Sequence, residues 1–380
     1  MTLEKKAGYF NSLEALRGIA ASLVVLYHLS AAGYFYNFPL VRHGEIAVPL
    51  FFVLSGFVIT HASQNRLNDG AGFRSYMIRR FGRVYPLHFI CLALVFALEI
   101  AKAVMMKGGA TAGDPAFTGP TSYPALAANL FLIQAVLPFK EPTWNGPSWS
   151  ISTEFYTYII FGVLMVTARS RQVLASIVIL LVSGVCLTVA QQNHLHVTEG
   201  SGLAMCVFGF FAGSLTYRLR AQVRFGRWAS VAELIAAAAM VSVFWVGPES
   251  RLLQLIIFPA CILVFSFDAG IVSRGLMSRI PMLLGTLSFS MYLLHFPILS
   301  LLNSSARFLQ SKLHVPLRQT IDGTDMISFG PTIAMDALAA VYFLLVVVAA
   351  YFTYRIVEVP ARDFFNRLAS ARRKQIVEAN

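Results

Sequence analysis

The sequence predicts an all-α, polytopic transmembrane bundle of about ten spans, with both termini cytoplasmic. Three observations carry that expectation. Of 380 residues, 57% are hydrophobic and only 13% charged, about half the charged share of soluble domains. Several apolar runs reach the roughly 20 residues that cross a hydrocarbon core. The basic residues are also asymmetric. With the N-terminus in the cytoplasm, the inner segments hold 22 Lys and Arg and the outer loops hold 7, the bias of a membrane protein with positive loops inside. A net charge of +12 therefore points to a bilayer and not to nucleic acid, for which no binding motif is present.

The expected spans are 13–33, 44–62, 84–106, 148–168, 173–191, 198–217, 229–247, 252–268, 282–302 and 331–354. They divide the chain into a cytoplasmic segment 1–12, a transmembrane domain 13–354 and a basic cytoplasmic tail 355–380. The apolar run 123–137 is too short to span and reads as interfacial or re-entrant. Trp144, Trp149 and Trp228 stand near span boundaries, where indole rings anchor at the interface. Lys5 and Lys6 before the first span suggest a signal peptide, but Glu14 and Arg17 interrupt its apolar core. Cys91, Cys186, Cys206 and Cys261 lie in apolar runs without a CxxC pair, so they read as packing residues. No internal repeat is visible. "GFFAG" at 209–213 has the small-xxx-small spacing of a helix contact.

Polar residues inside the spans are the candidates for function, because exposure to lipid costs each several kcal/mol. The first span, "LEALRGIAASLVVLYHL", carries Glu14, Arg17 and His28. Arg17 and His28 are eleven residues apart, within about 20° of one helical face and about 16 Å apart in rise. Glu14 lies about 40° from His28 on the same wheel and can pair with Arg17 at i,i+3. The stripe reads either as two stations along a passage or as a helix-start ion pair with a satisfied core histidine.

In the second span, "FFVLSGFVIT" places Ser55 and Gly56 mid-helix. Glycine there marks close approach or local unwinding. "RRFGRVYP" sets Arg80 and Arg83 at i,i+3 beside the third span, a spacing suited to phosphate oxygens; Arg79 fits ordinary anchoring. "GPSWSISTEFYTY" puts Ser150 and Glu154 on one face, a turn below Trp149. By span parity Glu154 should lie near the depth of His28, where a carboxylate orients an imidazole. "LGTLSFSMYLLHFPI" aligns Ser288, Tyr292 and His295, a rival base or a packing residue beside Pro297. At the end of the last span, Glu358 and Arg362 read either as a structural ion pair, the favoured reading, or as the floor of a cytoplasmic site. "HLH" at 194–196 is too little for a metal site, and no HExxH, GxSxG or Walker motif occurs.

Taken together, "LEALRGIAASLVVLYH" (Arg-x10-His), "FFVLSGFVIT", "RRFGRVYP" (Arg-x-x-Arg), "WSISTEFYTY", "SFSMYLLHFP" and "VEVPAR" resemble the acyltransferase-3 family of integral membrane acyltransferases. The resemblance covers about residues 10–365. It implies transfer of an acyl group, often acetyl, from cytoplasmic acyl-CoA to a hydroxyl on a glycan, lipid-linked saccharide or small molecule. It implies no cofactor beyond acyl-CoA as co-substrate, and a bacterial inner membrane. Arg17 and His28 match the family's Arg-x10-His residues; Arg80 and Arg83 match its Arg-x-x-Arg. Glu14 stands where Asp is common. The C-terminal SGNH hydrolase-like domain fused in some members has no counterpart here, so the membrane domain or a separate partner would complete transfer.

On this reading His28 is the general base or a transient acyl carrier. Arg17 and Glu154 share the catalytic station. Glu14, Ser55, Arg80, Arg83, Trp149, Ser150, Tyr292 and His295 contact substrates. The alternative from another class is a secondary transporter or flippase with the same polar pathway. It would consume no acyl-CoA and would more often show repeated halves.

Overall fold

The computed structural model describes residues 10–64, 66–107, 115–137, 139–195, 197–247, 251–321 and 323–378. Its principal helices are α1 (Asn11–His28), α2 (Ala47–Ser63), α3 (Gly70–Lys107), α4 (Tyr123–Leu130), α5 (Trp149–Ala168) and α6 (Gln172–Gln192). They continue with α7 (Gly202–Leu219), α8 (Ala229–Val246), α9 (Arg251–Phe265), α10 (Arg279–Leu313), α11 (Thr332–Thr353) and α12 (Val359–Glu378). Strands β1 (Arg318–Ile321) and β2 (Thr324–Ile327) form one antiparallel hairpin, with Arg318 opposite Ile327. The hairpin was not expected in the loop 303–330; otherwise the architecture is all-α.

Among the described residues, eight helices are long and apolar enough to cross a membrane. They correspond to eight of the ten expected spans, and they make this an integral membrane protein. The other two expected spans fall short. One is α1, only 18 residues long and carrying Glu14, Arg17 and His28. The other is α9, only 15 residues long. The first span also ends earlier than expected. Leu29 turns extended, and Ser30 and Ala32 exchange main-chain hydrogen bonds with Ile327 of β2. His28 is thus the last residue of its helix.

Several helices overrun their expected spans. At 38 residues, α3 rises about 57 Å, so one end projects well past a hydrocarbon core. The segment expected as a tail after residue 354 is mostly helical. A π-type bulge over Tyr354–Glu358 leads into α12, which lies on the projecting part of α3. Ser75 donates to the Ala369 carbonyl at 3.2 Å, and Gly82 admits the Phe365 ring where a Cβ would overlap it.

The core forms along two helix pairs built by small residues. Gly56 of α2 lies against the Phe210 carbonyl of α7, and Gly213 of α7 against the Val53 carbonyl of α2. Gly56 therefore marks close approach, with α2 unbroken, and the glycines of "GFFAG" are helix contacts. The second pair, α1 with α10, positions the site.

The run 123–137 contains only the eight-residue α4 and does not span. It is wedged into the bundle by a polar network. The Asn129 amide donates to Thr143 Oγ1 at 2.8 Å, Ser148 Oγ donates to Asn129 Oδ1 at 3.3 Å, and Asn145 donates to the Leu293 carbonyl at 3.2 Å. These bonds fix the start of α5 against α10. Trp144 belongs to this wedge. It is 2% exposed, stacked on Phe96, and donates its Nε1 proton to the Ser122 carbonyl, so its ring faces protein and not lipid. Trp228, 60% exposed, lies where an anchor can.

Candidate active site

The site starts from a glycine contact. A Cβ on Gly18 would overlap the Gly285 backbone, and one on Gly285 would overlap the Glu14 carbonyl. The backbones of α1 and α10 touch there and run parallel. Ten residues further along each helix stand His28 and His295. Equal steps along two parallel helices bring their rings together, with centroids 4.8 Å apart and tilted by 53°.

Both rings are held in the same way. His28 Nδ1 lies 2.9 Å from the Val24 carbonyl, and His295 Nδ1 lies 3.3 Å from the Met291 carbonyl. Each carbonyl is one turn back on the ring's own helix. A carbonyl only accepts, so each Nδ1 carries the proton in the neutral ring and each Nε2 holds a lone pair. His295 is fully buried and its Nε2 has no hydrogen-bond partner. His28 is half-buried and is the more accessible of the two.

One turn along α10 from His295, toward Gly285, Tyr292 closes one end of a cavity of about 270 Å³. Helices α1, α2, α3, α5 and α10 line it with Arg17, Ser55, Arg80, Arg83, Ser150, Glu154, Tyr158, Ser288 and Tyr292, among apolar residues including Phe51 and Phe289. The Tyr292 ring stands 6.0 Å from His295 and 5.7 Å from Phe51, centroid to centroid. Its hydroxyl meets Ser150 Oγ at 2.7 Å, and both hydroxyls reach the Pro147 carbonyl at 3.0 Å. Ser55 faces the Tyr158 hydroxyl at 3.4 Å.

The cavity's other end is charged. Arg17 donates to Glu14 at 2.8 Å. Arg83 pairs with Glu358, whose second oxygen accepts from Ser290 Oγ at 2.8 Å, and the Arg83 guanidinium lies over the Phe289 ring. Glu358 belongs to the bulge before α12, and that widened turn delivers its carboxylate into the bundle. The Arg80 guanidinium lies 5.6 Å from the Tyr76 ring and 6.0 Å from the Tyr158 ring, and its Nε has no hydrogen-bond partner.

The structure thus gathers Arg17, Ser55, Arg80, Arg83, Ser150, Glu154 and Tyr292 around one cavity, with Glu14 paired at its edge. His28 and His295 sit just beyond it. Four expectations need correction. First, Glu154 is not level with His28. Helices α5 and α10 are antiparallel, with Ser150 meeting Tyr292, so Glu154 falls opposite Ser288. That is about 10 Å of rise from His295, and Glu154 lies against Tyr158. The neighbour of His28 is His295. Second, Arg80 and Arg83 are not equivalent in their surroundings: both line the cavity, but Glu358 holds Arg83. Third, the favoured Glu358–Arg362 pair does not form: Arg362 reaches Asp363, and Glu358 holds Arg83 at the charged end of the cavity, in keeping with the other reading of it as the floor of a site. Fourth, Trp149 is outside the cavity lining and packs against Phe52 and Gly202. Sequence reading passed over Tyr158, although its place one turn from Glu154 in "STEFYTY" was a usable signal. Among the described residues no cluster of three or more His, Cys, Asp or Glu suits a metal ion.

An apolar helical bundle that sets arginines, a carboxylate and hydroxyls around a cavity beside paired imidazoles has the makeup of a membrane-embedded enzyme. The acyltransferase-3 family model, described as an acyltransferase domain, matches residues 10–359, and the chain belongs to that family. Acyltransferase MdmB of Streptomyces mycarofaciens is 27% identical over 76% of this chain and 78% of its own length. Protein 2 in the picA locus of Rhizobium radiobacter is 33% identical over 48% of this chain and 94% of its own. Peptidoglycan O-acetyltransferase OatA of Listeria monocytogenes is 25% identical over 77% of this chain and 50% of its own. No solved structure matches the chain. The protein is an integral membrane acyltransferase, and membership in an enzyme family sets aside the transporter reading.

Proposed function

We propose that the protein moves an acyl group, acetyl foremost, from cytoplasmic acyl-CoA to a hydroxyl of a saccharide or other acceptor, with His28 as general base. The observation that carries this is the His28–His295 pair, its Nε2 lone pairs preset by main-chain carbonyls, next to a cavity with an arginine-rich mouth. The basic end faces the cytoplasm in this reading, as the 22-to-7 excess of Lys and Arg favours. Both termini then lie inside, at a bacterial inner membrane.

Arg80 is the docking cation for CoA phosphates, because Arg17 and Arg83 already hold carboxylates. A volume near 270 Å³ admits the slender pantetheine arm and a short acyl group, while the nucleotide stays at the mouth. The acceptor arrives from the opposite end. His28 Nε2 takes its hydroxyl proton as the oxygen attacks the thioester carbon. The carbonyl electron pair moves onto oxygen and then returns, breaking the C–S bond. The CoA thiolate leaves and takes the proton from the imidazolium. His295, too buried to meet the acceptor, lends its Nε2 lone pair to the charge that forms on His28. The name of the Listeria relative, a peptidoglycan O-acetyltransferase, favours acetyl as the group and a glycan as the acceptor.

The test is purified protein with labelled acetyl-CoA and candidate acceptors. Wild type should transfer label, and His28→Ala should not. Wild-type rates in folded His28→Ala would remove the base assignment. Label retained on His28 after rapid denaturation at neutral pH, and released by hydroxylamine, would replace proton transfer with an acyl-imidazole step.

A further inference from the structure

The geometry points to Ser150 and Tyr292 as the oxyanion site, the pair of hydroxyls that stabilises the thioester oxygen as charge develops on it. This rests on the acyl-CoA reading above and adds a role that reading leaves unfilled. A general base removes a proton from the acceptor, but the negative charge then gathers on the donor's carbonyl oxygen. Some preset donor must meet it, and such donors commonly supply the largest single share of the rate.

Ser150 and Tyr292 satisfy three conditions at once. Both line the donor cavity. Tyr292 lies next to the imidazoles, one helical turn before His295 with its ring 6.0 Å away, and Ser150 is hydrogen-bonded to the Tyr292 hydroxyl. The third condition is a proton count. Ser150 Oγ, Tyr292 OH and the Pro147 carbonyl form a triangle with sides of 2.7, 3.0 and 3.0 Å. Three contacts are drawn, but two hydroxyls carry only two protons. One proton is enough to satisfy the buried Pro147 carbonyl. The other serves only the hydroxyl–hydroxyl contact, or doubles up on a carbonyl already bonded. It can turn to a substrate oxygen without leaving any buried acceptor orphaned, so recruiting it costs little.

The frame around the triangle is rigid. Pro147 precedes α5, and Asn145 donates to the Leu293 carbonyl beside Tyr292. With the oxygens held in place, only a hydroxyl rotation is needed to aim the donor, and donors positioned in advance are the ones that stabilise a transition state. In the step itself the acceptor C–O bond forms, the carbonyl π pair becomes the oxyanion, and the spare hydroxyl proton bonds it. Collapse expels the thiolate and returns that proton to the triangle.

The count makes an uncommon forecast for the two single variants. Tyr292→Phe and Ser150→Ala each leave one proton, which the Pro147 carbonyl claims. Each should therefore lower kcat for acetyl transfer from acetyl-CoA about 100-fold, with KM for acetyl-CoA nearly unchanged. The double variant should fall less than about threefold further, since the spare proton is already gone. Thermal unfolding midpoints of the purified proteins separate this from a packing role, which would lower stability or raise KM and spare kcat. If one single variant does not fold, the other carries the measurement. Turnover by wild type with kcat within about threefold in the single variants would overturn this inference alone. So would independent losses that multiply in the double variant. No turnover of acetyl-CoA by wild type would overturn the donor reading and this inference with it.

Discussion

The two ends of the site are built on opposite terms. At the basic end, long side chains reach toward one another from distant parts of the chain. Glu14 and Arg17 pair within one turn of α1, but Arg83 and Glu358 are 275 positions apart and meet through a bulge. At the histidine end the groups are compact, and main-chain carbonyls hold the rings. Their contact depends on where two helix backbones run. Flexible arginines re-reach after a displacement of an ångström. Two imidazoles fixed to their own helices do not. The basic end should therefore yield gradually to mutation, and the histidine end abruptly.

The largest expected effect is at the abrupt end. His28→Ala should lower acyl transfer by about 10²- to 10⁴-fold, the usual contribution of a general base, with little change in the thermal midpoint. Activity that survives would break the contrast. Next comes Gly285→Leu, far from the reacting groups. Its side chain would meet the Glu14 carbonyl and push α1 off α10. Overpacking of this kind costs about 1–3 kcal/mol. We expect a lower unfolding midpoint and at least a tenfold loss of kcat, because the rings separate. Full activity in this variant would show that their spacing is not set by the glycine contact.

At the gradual end, Glu358→Gln leaves Arg83 without its counter-charge. Glu358 is almost fully buried, so stability should fall by about 1–3 kcal/mol, read by thermal unfolding. Arg83 is then free to bind phosphate, and KM for acetyl-CoA should drop or hold. A raised KM would argue that the pair orders the mouth. Arg80→Ala should raise that KM about tenfold and leave kcat and stability nearly intact, as expected for a lone docking cation.

The smallest effect lies outside the bundle. Arg318 holds the Asp325 carboxyl below its ordinary value near 3.8, assisted by Arg307. A depressed carboxylate contributes stability that is present above its unfolded value and lost as pH falls through the folded one. The hairpin should thus be unchanged from neutral pH down to about pH 5 and loosen only below about pH 4. Amide exchange across β1 and β2 checks this. Loosening near neutral pH would mean that another group holds the hairpin.

Much of this was legible in one dimension. Helices could be read from apolar length, and the stripe of Glu14, Arg17 and His28 from the 3.6-residue period. Local pairs such as Glu14–Arg17 follow from spacing alone. Gly56 and the glycines of "GFFAG" announced close packing without naming a partner. Misreadings cluster where register between helices matters. Glu154 was assigned a depth from span parity, but the antiparallel meeting of Ser150 with Tyr292 set it two turns away. Spacing leaves Glu358 open between a pair with its sequence neighbour Arg362 and a place in the site, and a bulge decides it by turning the carboxylate toward Arg83. Trp144 stands near a boundary in the sequence, but Phe96, Phe117 and the Ser122 carbonyl enclose it.

The sequence by itself determined that this chain enters a membrane, which residues are too polar to face lipid, and which share a helical face. Those properties depend on composition and on a fixed helical period, both local. Only the tertiary structure decided that His28 meets His295, that among the described residues Arg80 is the one cavity arginine with no carboxylate within ion-pair distance, and that Ser150 and Tyr292 share two protons among three contacts. Each depends on how helices far apart in sequence slide and touch. That is settled by side-chain shape at contacts such as Gly18 and Gly285, which no single helix contains.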